Sequence, residues 1–119
     1  MRDFRDLLKR ADGSPNHFEK IELNRDGNSI FMSIQASRHN YSAPRQDGLQ
    51  PHDYREFEVA FLRDDKFVNP IDINFGYDQV LAYVSTEEVQ RLFQKFMSLT
   101  AEQIKQCPQV ELSTWEDDE

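Results

Sequence analysis

The chain has 119 residues, of which 38% are hydrophobic, 12% aromatic and 30% charged. This composition predicts one folded domain with a heavily solvated surface, and it excludes a disordered chain. The net charge of −8 is uneven, because residues 1–60 carry nine basic and ten acidic side chains, whereas residues 61–119 carry five and twelve. So few Lys and Arg residues argue against duplex nucleic acid as a partner.

Membrane segments and disulfides are not expected either. No apolar run approaches the about 20 residues of a membrane span, and no signal-peptide pattern opens the chain. We therefore expect no membrane partner. The single cysteine, Cys107, excludes an internal disulfide and favours a reducing compartment. These features predict a cytoplasmic protein.

A helix and a hairpin are the first elements predicted. Apolar residues at helical spacing predict an N-terminal helix over residues 2–11, namely Phe4, Leu7 and Leu8. Asp26-Gly27 is a signal for a type I′ turn and predicts a hairpin. This turn places apolar residues opposite each other across the two strands: Leu23 with Ile30, and Ile21 with Met32. Such a register is the one that a buried face requires.

The second strand of this hairpin, residues 29–36, leads into a long loop over residues 37–53. Loops longer than about 12 to 15 residues are usually functional or disordered. A strand over residues 54–62 follows, and Asp64-Asp65 turns it toward a short strand at Phe67. A further strand is predicted over residues 77–84.

Two helices end the predicted fold. Ser85-Thr86-Glu87-Glu88 has the pattern of a capping box, and an apolar stripe follows it at helical spacing: Val89, Leu92, Phe93, Phe96 and Met97. Thr100 opens a shorter helix that Pro108 ends. The order predicts an α+β domain with an antiparallel sheet of four to five strands, and with the N-terminal helix and the C-terminal helices packed on one face. We assign residues 1–112 to this domain and residues 113–119 to an acidic C-terminal tail.

Motifs for catalysis and metal binding are missing from the sequence. The three histidines, His17, His39 and His52, have no zinc-ligand spacing, and one cysteine cannot complete a ligand set. The chain has no Gly-x-Ser-x-Gly elbow and, with four glycines, no glycine-rich phosphate loop. We therefore expect a protein that is not an enzyme and that uses no metal or cofactor.

The segment Ser37–Arg45 concentrates hydrogen-bond donors and flat rings in an otherwise acidic chain. Arginine offers a planar fork of donors to phosphate or carboxylate, and tyrosine or histidine offers a face to a ring. Strand alternation adds a polar stripe of Ser33, Gln35 and Ser37 that leads into the loop. We predict a site for a small anionic ligand formed by Gln35, Arg38, His39, Tyr41 and Arg45. The alternative is an ordinary polar loop, in which the two arginines pair with Asp47, Asp53 or the Glu56/Glu58 face.

The acidic second half supports a hypothesis of a different class. It is typical of a protein inhibitor that binds a basic protein surface, such as an anti-CRISPR-like nucleic-acid mimic or a toxin immunity protein. The candidate face is Glu87, Glu88, Glu111, Glu116, Asp117 and Asp118. The simpler interpretation is a solvated acidic tail. The sequence also leaves a homo-oligomer and a scaffolding role open.

Several short motifs resemble those of small bacteriophage proteins. They are the hairpin that ends Ser33-Ile34-Gln35-Ala36-Ser37, the Tyr41-x-x-Pro44-Arg45 segment, the strand Phe57-Glu58-Val59-Ala60, and Tyr83-Val84 before a closing helix. The resemblance covers roughly residues 18–97. Some phage proteins of this size antagonise host defence, among them the Thoeris anti-defence sponges that sequester cyclic nucleotide signals. The resemblance implies capture of a phosphorylated ligand in the host cytoplasm, with Arg38 and Arg45 on phosphates and Tyr41 or His39 on a base.

Overall fold

The computed structural model describes residues 2–12, 14, 17–73, 75 and 79–110. Five strands form one antiparallel sheet: β1 (Ile21–Arg25), β2 (Asn28–Gln35), β3 (Glu56–Arg63), β4 (Lys66–Phe67) and β5 (Leu81–Ser85). The strand order is β1-β2-β3-β4, and β5 also pairs with β3. Two helices follow, α1 (Thr86–Met97) and α2 (Ala101–Gln106). The predicted α+β class and the antiparallel sheet are confirmed.

The first hairpin forms as its turn predicts. Asp26 and Gly27 have φ angles of 53° and 85°, as a type I′ turn requires. The two predicted apolar pairs are present, with Ile21 opposite Met32 and Leu23 opposite Ile30. The turn between β3 and β4 also has two residues of positive φ, Asp64 and Asp65. Aspartate tolerates this conformation better than most residues, which explains why both turns contain it.

The predicted N-terminal helix over residues 2–11 is instead a 3-10 turn, Phe4–Leu7. Beyond this turn the chain is extended, and the Lys9 carbonyl accepts a hydrogen bond from the Glu19 N–H at 2.8 Å. Phe4 and Leu8 are both buried in the core. A single isolated turn of helix is not stable by itself. Burial of these two side chains and pairing with the chain that precedes β1 therefore decide the conformation.

The helix boundaries follow the predicted caps. The Ser85 hydroxyl accepts a hydrogen bond from the Glu88 N–H at 3.2 Å, and α1 begins at the next residue. Thr100 and Gln103 cap α2 reciprocally, each accepting from the other's backbone N–H. Of the described helices, neither is both long and apolar enough to cross a lipid bilayer. The predicted tail, residues 113–119, lies outside the described residues.

The core forms where α1 meets the sheet. Four residues of the predicted apolar stripe are buried in α1, namely Val89, Leu92, Phe93 and Phe96, and Met97 packs against their cluster. The Phe61 ring of β3 lies 5.8 Å from the Phe96 ring. Helix α1 contacts β3 and β5, whereas α2 contacts β1 and β2. The two helices thus contact four of the five strands of the sheet.

Asp3 contributes a pH-dependent part of the stability. Its side chain accepts hydrogen bonds from the backbone N–H and the guanidinium of Arg5 at 2.9 and 2.7 Å, and the guanidinium bond lowers the pKa of Asp3 to about 2. A carboxyl whose folded pKa lies below its unfolded value stabilises the fold above about pH 4 and loses this effect as the pH falls toward about 2. The two side chains are 34% and 24% exposed, so solvent screening reduces the effect.

Replacing Asp3 by asparagine should therefore lower the free energy of unfolding near neutral pH by about 0.5 to 1 kcal/mol. The difference from the native protein should shrink as the pH falls from about 4 to about 2. Urea denaturation over this range measures it. Asp53→Asn, at an exposed position, is the matched control and should leave the pH dependence unchanged. An equal change of pH dependence in both variants would contradict the role of Asp3.

Candidate functional site

The loop over residues 37–53 leaves β2 and returns against β3. Ala43 and Glu56 exchange two backbone hydrogen bonds, of 3.1 and 3.2 Å. At the base of the loop, the buried Ser42 hydroxyl accepts from the Ser37 N–H at 3.2 Å and donates to the Ser37 carbonyl at 3.1 Å. These bonds close residues 37–43 into a hydrogen-bonded unit. The predicted loop is thus an ordered structure.

Glu58 of β3 holds the tip of this unit. Its Oε1 accepts a hydrogen bond from the Asn40 side-chain amide at 3.0 Å, and its Oε2 accepts from the Tyr41 N–H at 3.2 Å. In the alternative of an ordinary polar loop, Glu58 was expected to form an ion pair with Arg38 or Arg45. The structure instead joins it to the neutral donors of the loop. One carboxylate therefore sets the position of Tyr41.

Tyr83 of β5 completes a surface with Tyr41. The pairing of β5 with β3 shifts register between Phe57 and Val59, and Tyr83 has a φ of 52° at this bulge. Its N–H donates to the Tyr41 carbonyl at 2.9 Å, and the ring centroids of the two tyrosines are 5.9 Å apart. The Arg45 guanidinium lies 5.7 Å from the centre of the Tyr41 ring. We call Tyr41, Tyr83 and Arg45 the tyrosine platform.

The tyrosine platform is open to solvent. Tyr41 and Tyr83 are 44% and 45% exposed, and they are the two large exposed hydrophobic side chains among the described residues. Two aromatic rings that touch each other on the surface, with a cation over one of them, provide faces on which a flat ring can stack.

Arg38 and His39 lie at the start of the loop. Arg38 Nε is 3.3 Å from Asp47 Oδ2 and 3.2 Å from His39 Nε2, while the Arg38 backbone N–H donates to Asp47 Oδ1 at 3.0 Å. The Arg38 side chain is nevertheless 67% exposed. The ion pair between Arg38 and Asp47, which was expected for an ordinary polar loop, is thus present. Arg45, by contrast, contacts the Tyr41 ring.

Gln35 has a structural partner. Its side-chain amide accepts from the Phe18 N–H at 2.8 Å and donates to the Phe18 carbonyl at 2.9 Å and to Ser33 Oγ at 3.0 Å. Ser37 is fully buried. The polar stripe of Ser33, Gln35 and Ser37 therefore does not line the loop with free donors, because Gln35 satisfies the backbone of Phe18 beside β2.

The predicted acidic face is only partly within the described chain. Glu88 accepts hydrogen bonds from both Nε and the terminal nitrogen of Arg91, and these bonds lower the pKa of Glu88. Glu87 is exposed in the first turn of α1. The remaining members, Glu111, Glu116, Asp117 and Asp118, lie outside the described residues. Of the two described members, Glu88 is thus paired with Arg91 of the same helix.

A groove of about 580 Å³ borders the tyrosine platform. It lies between β5, α1 and residues 71–73. Its lining is about half apolar (Ile71, Ile73, Leu81, Val84 and Leu92), and its charged members are Asp72, Glu88, Arg91 and Lys95. Tyr83 belongs to both the groove and the platform. Neither this groove nor the contact of Tyr83 with Tyr41 was predicted from the sequence.

The part of the chain that the structure describes contains neither a metal site nor an activated cysteine. No group of three His, Cys, Asp or Glu side chains there could hold a metal ion. Burial raises the pKa of the Cys107 thiol, which keeps this group protonated and weakly nucleophilic.

Fold and site together define a small α+β protein with an exposed tyrosine platform beside an ordered polar loop. No family model, no curated protein and no solved structure matches the chain.

Proposed function

We propose that the protein is a non-enzymatic binding protein that captures a small phosphorylated ligand with a flat ring, such as a cyclic nucleotide. The observation that carries this proposal is the exposed contact of Tyr41 with Tyr83, with the Arg45 guanidinium over the Tyr41 ring. Stacking of a base on an aromatic side chain contributes about 1 to 3 kcal/mol. The tyrosine platform supplies the face for such stacking.

Arginine side chains supply the donors for the phosphate. Arg45 has no ion pair among the described residues, so its planar fork is available to an anion. Arg38 is paired with Asp47, but an exposed ion pair is worth only about 0 to 1 kcal/mol, and a phosphate can replace the carboxylate. Each charge-assisted hydrogen bond contributes about 1.5 to 3 kcal/mol. His39 lies against Arg38 and adds a further polar group.

The order of the loop favours binding. Hydrogen bonds from Asn40 and Tyr41 to Glu58, and those between Ser37 and Ser42, hold the loop before any ligand arrives. A pre-organised loop loses little conformational entropy on binding. Two charge-assisted bonds together with stacking can then reach micromolar affinity, which corresponds to about −8 kcal/mol.

The resemblance to bacteriophage proteins suggests the biological setting. A phage protein that sequesters a host nucleotide signal would antagonise antiviral defence from within the host cytoplasm. In this setting the protein needs only affinity and abundance, and a catalytic group has no role. Gln35, whose amide is held by Phe18, acts in this proposal by supporting β2 and does not contact the ligand.

Isothermal titration calorimetry of the purified protein against nucleotides, cyclic nucleotides and cyclic ADP-ribose isomers tests the proposal. At least one should give saturable heat at about 100 μM. Arg45→Ala and Tyr41→Ala should each weaken that binding by about tenfold or more. Lys66→Ala removes one positive charge from β4, at the far end of β3, and should leave the affinity unchanged. The absence of heat with every ligand, or an equal loss in the Lys66 variant, would rule the proposal out.

A further inference from the structure

The groove between β5 and α1 has the dimensions of a small-molecule site. Its volume of about 580 Å³ falls within the range of about 300 to 1,000 Å³ that such sites occupy. The apolar side chains of Ile71, Ile73 and Leu81 line the groove, and so does Leu92 of α1. These side chains can cover an apolar part of a ligand.

Two cations of α1 line the groove, and of these only Arg91 forms an ion pair with a residue that the structure describes. The Arg91 guanidinium donates two hydrogen bonds to the Glu88 carboxylate. Lys95 lies one helical turn further along the same face, is exposed, and has no ion pair within the described chain. Its charge, with the larger effect of Arg91, helps to lower the pKa of Glu88, so its field reaches into the groove. Asp72 also lines the groove and forms no ion pair with the residues that the structure describes.

We propose that this groove binds a small carboxylate with an apolar chain, with the Lys95 ammonium holding the carboxylate and Ile71, Ile73 and Leu81 covering the chain. An ammonium beside apolar side chains complements a ligand of this class. A multiply charged phosphate fits less well than a singly charged carboxylate, because the repulsion from Glu88 and Asp72 grows with the charge of the ligand. The groove is distinct from the tyrosine platform of the proposed function and shares only Tyr83 with it.

Calorimetry with the alkanoates butanoate, hexanoate and octanoate tests the inference directly. We expect saturable binding of octanoate below about 1 mM. The affinity should rise by about fourfold for each methylene that the groove covers. Ile73→Ser should flatten this dependence on chain length. Failure of octanoate to bind, or an affinity that does not depend on chain length, would overturn the inference.

Two variants with the same change of charge test whether the carboxylate of the ligand binds at Lys95. Lys95→Glu should weaken octanoate binding by about tenfold or more, because it replaces the cation by an anion. Lys105→Glu makes the same change of charge at an exposed position on α2, outside the groove, and should leave octanoate binding intact. An equal loss in both variants would overturn the assignment to Lys95.

The two sites can be separated in the same measurements. Arg45→Ala should leave the affinity for octanoate unchanged, and Lys95→Glu should leave the heat of any phosphorylated ligand unchanged. Octanoate binding that Arg45→Ala abolishes would place the carboxylate at the tyrosine platform and overturn the groove site. Thermal melting of each variant shows that the fold is retained, which we expect for Lys95→Glu because Lys95 is exposed.

Discussion

Replacing Phe57 by alanine is expected to lower the free energy of unfolding by about 3 to 5 kcal/mol. Phe57 is fully buried in β3, the strand that pairs with β2, β4 and β5. Its ring contacts the Phe4 ring edge-on at 5.3 Å and the Tyr54 ring at 5.9 Å. The substitution thus leaves a cavity where the N-terminal turn, the end of the loop and the sheet meet. Urea denaturation with an unchanged slope measures the loss.

Phe31→Ala is the matched control. Phe31 lies in β2 between the buried residues Ile30 and Met32, so its ring points to the other side of the sheet and is half-buried. Its removal should lower the free energy of unfolding by only about 1 kcal/mol. Phe57→Leu keeps most of the volume and should lower it by less than about 1.5 kcal/mol, which retains a measurable protein if the alanine variant unfolds. Equal losses for Phe31→Ala and Phe57→Ala would contradict the position of the core.

Replacing Glu58 by alanine should have the second-largest effect, on both stability and binding. The substitution removes two charge-assisted hydrogen bonds, one from the half-buried Asn40 amide and one from the exposed Tyr41 N–H, and should lower the free energy of unfolding by about 1 to 3 kcal/mol. The loop must then be ordered by the ligand, so the affinity of the proposed phosphorylated ligand should fall by about tenfold. Denaturation and calorimetry measure the two effects separately.

Two variants on the same strand sharpen this test. Glu58→Gln keeps one acceptor oxygen but turns an amide donor toward the second loop donor, so it should have an intermediate effect. Glu56→Ala removes a carboxylate two residues earlier, whose side chain has no hydrogen bond or ion pair within the described chain. It should change the free energy of unfolding by no more than about 0.5 kcal/mol. If Glu56→Ala and Glu58→Ala behave alike, the position of the loop does not depend on Glu58.

Elements that rest on signals between near neighbours in the sequence were predictable. Asp26-Gly27 sets the register of the first hairpin, because a two-residue turn leaves only one way to pair the strands. Ser85 and Thr100 mark the starts of α1 and α2, because each hydroxyl accepts from a backbone N–H three residues further along. Such interactions depend on a few adjacent residues, so the pattern alone contains them.

The candidate site depended more on contacts between distant parts of the chain. The identity of Arg38, Tyr41 and Arg45 as a donor-rich group could be read from the sequence. Their partners could not, because Tyr83 reaches Tyr41 only through a bulge in β5 that interrupts its alternation. Glu58 likewise reaches the loop from another strand.

The N-terminal segment shows most clearly how contacts with distant residues can override a local sequence pattern. Its apolar spacing agreed with a helix, yet the Phe4 N–H donates to Gln90 Oε1, 86 residues away, and the Phe4 ring packs on Phe57. By itself the sequence determined the hairpin register, the helix caps and the apolar faces, since neighbouring residues carry the necessary interactions. Only the tertiary structure decided the N-terminal turn, the tyrosine platform and the groove. Each of these depends on burial or hydrogen bonds between residues that are distant in the sequence, which local patterns do not encode.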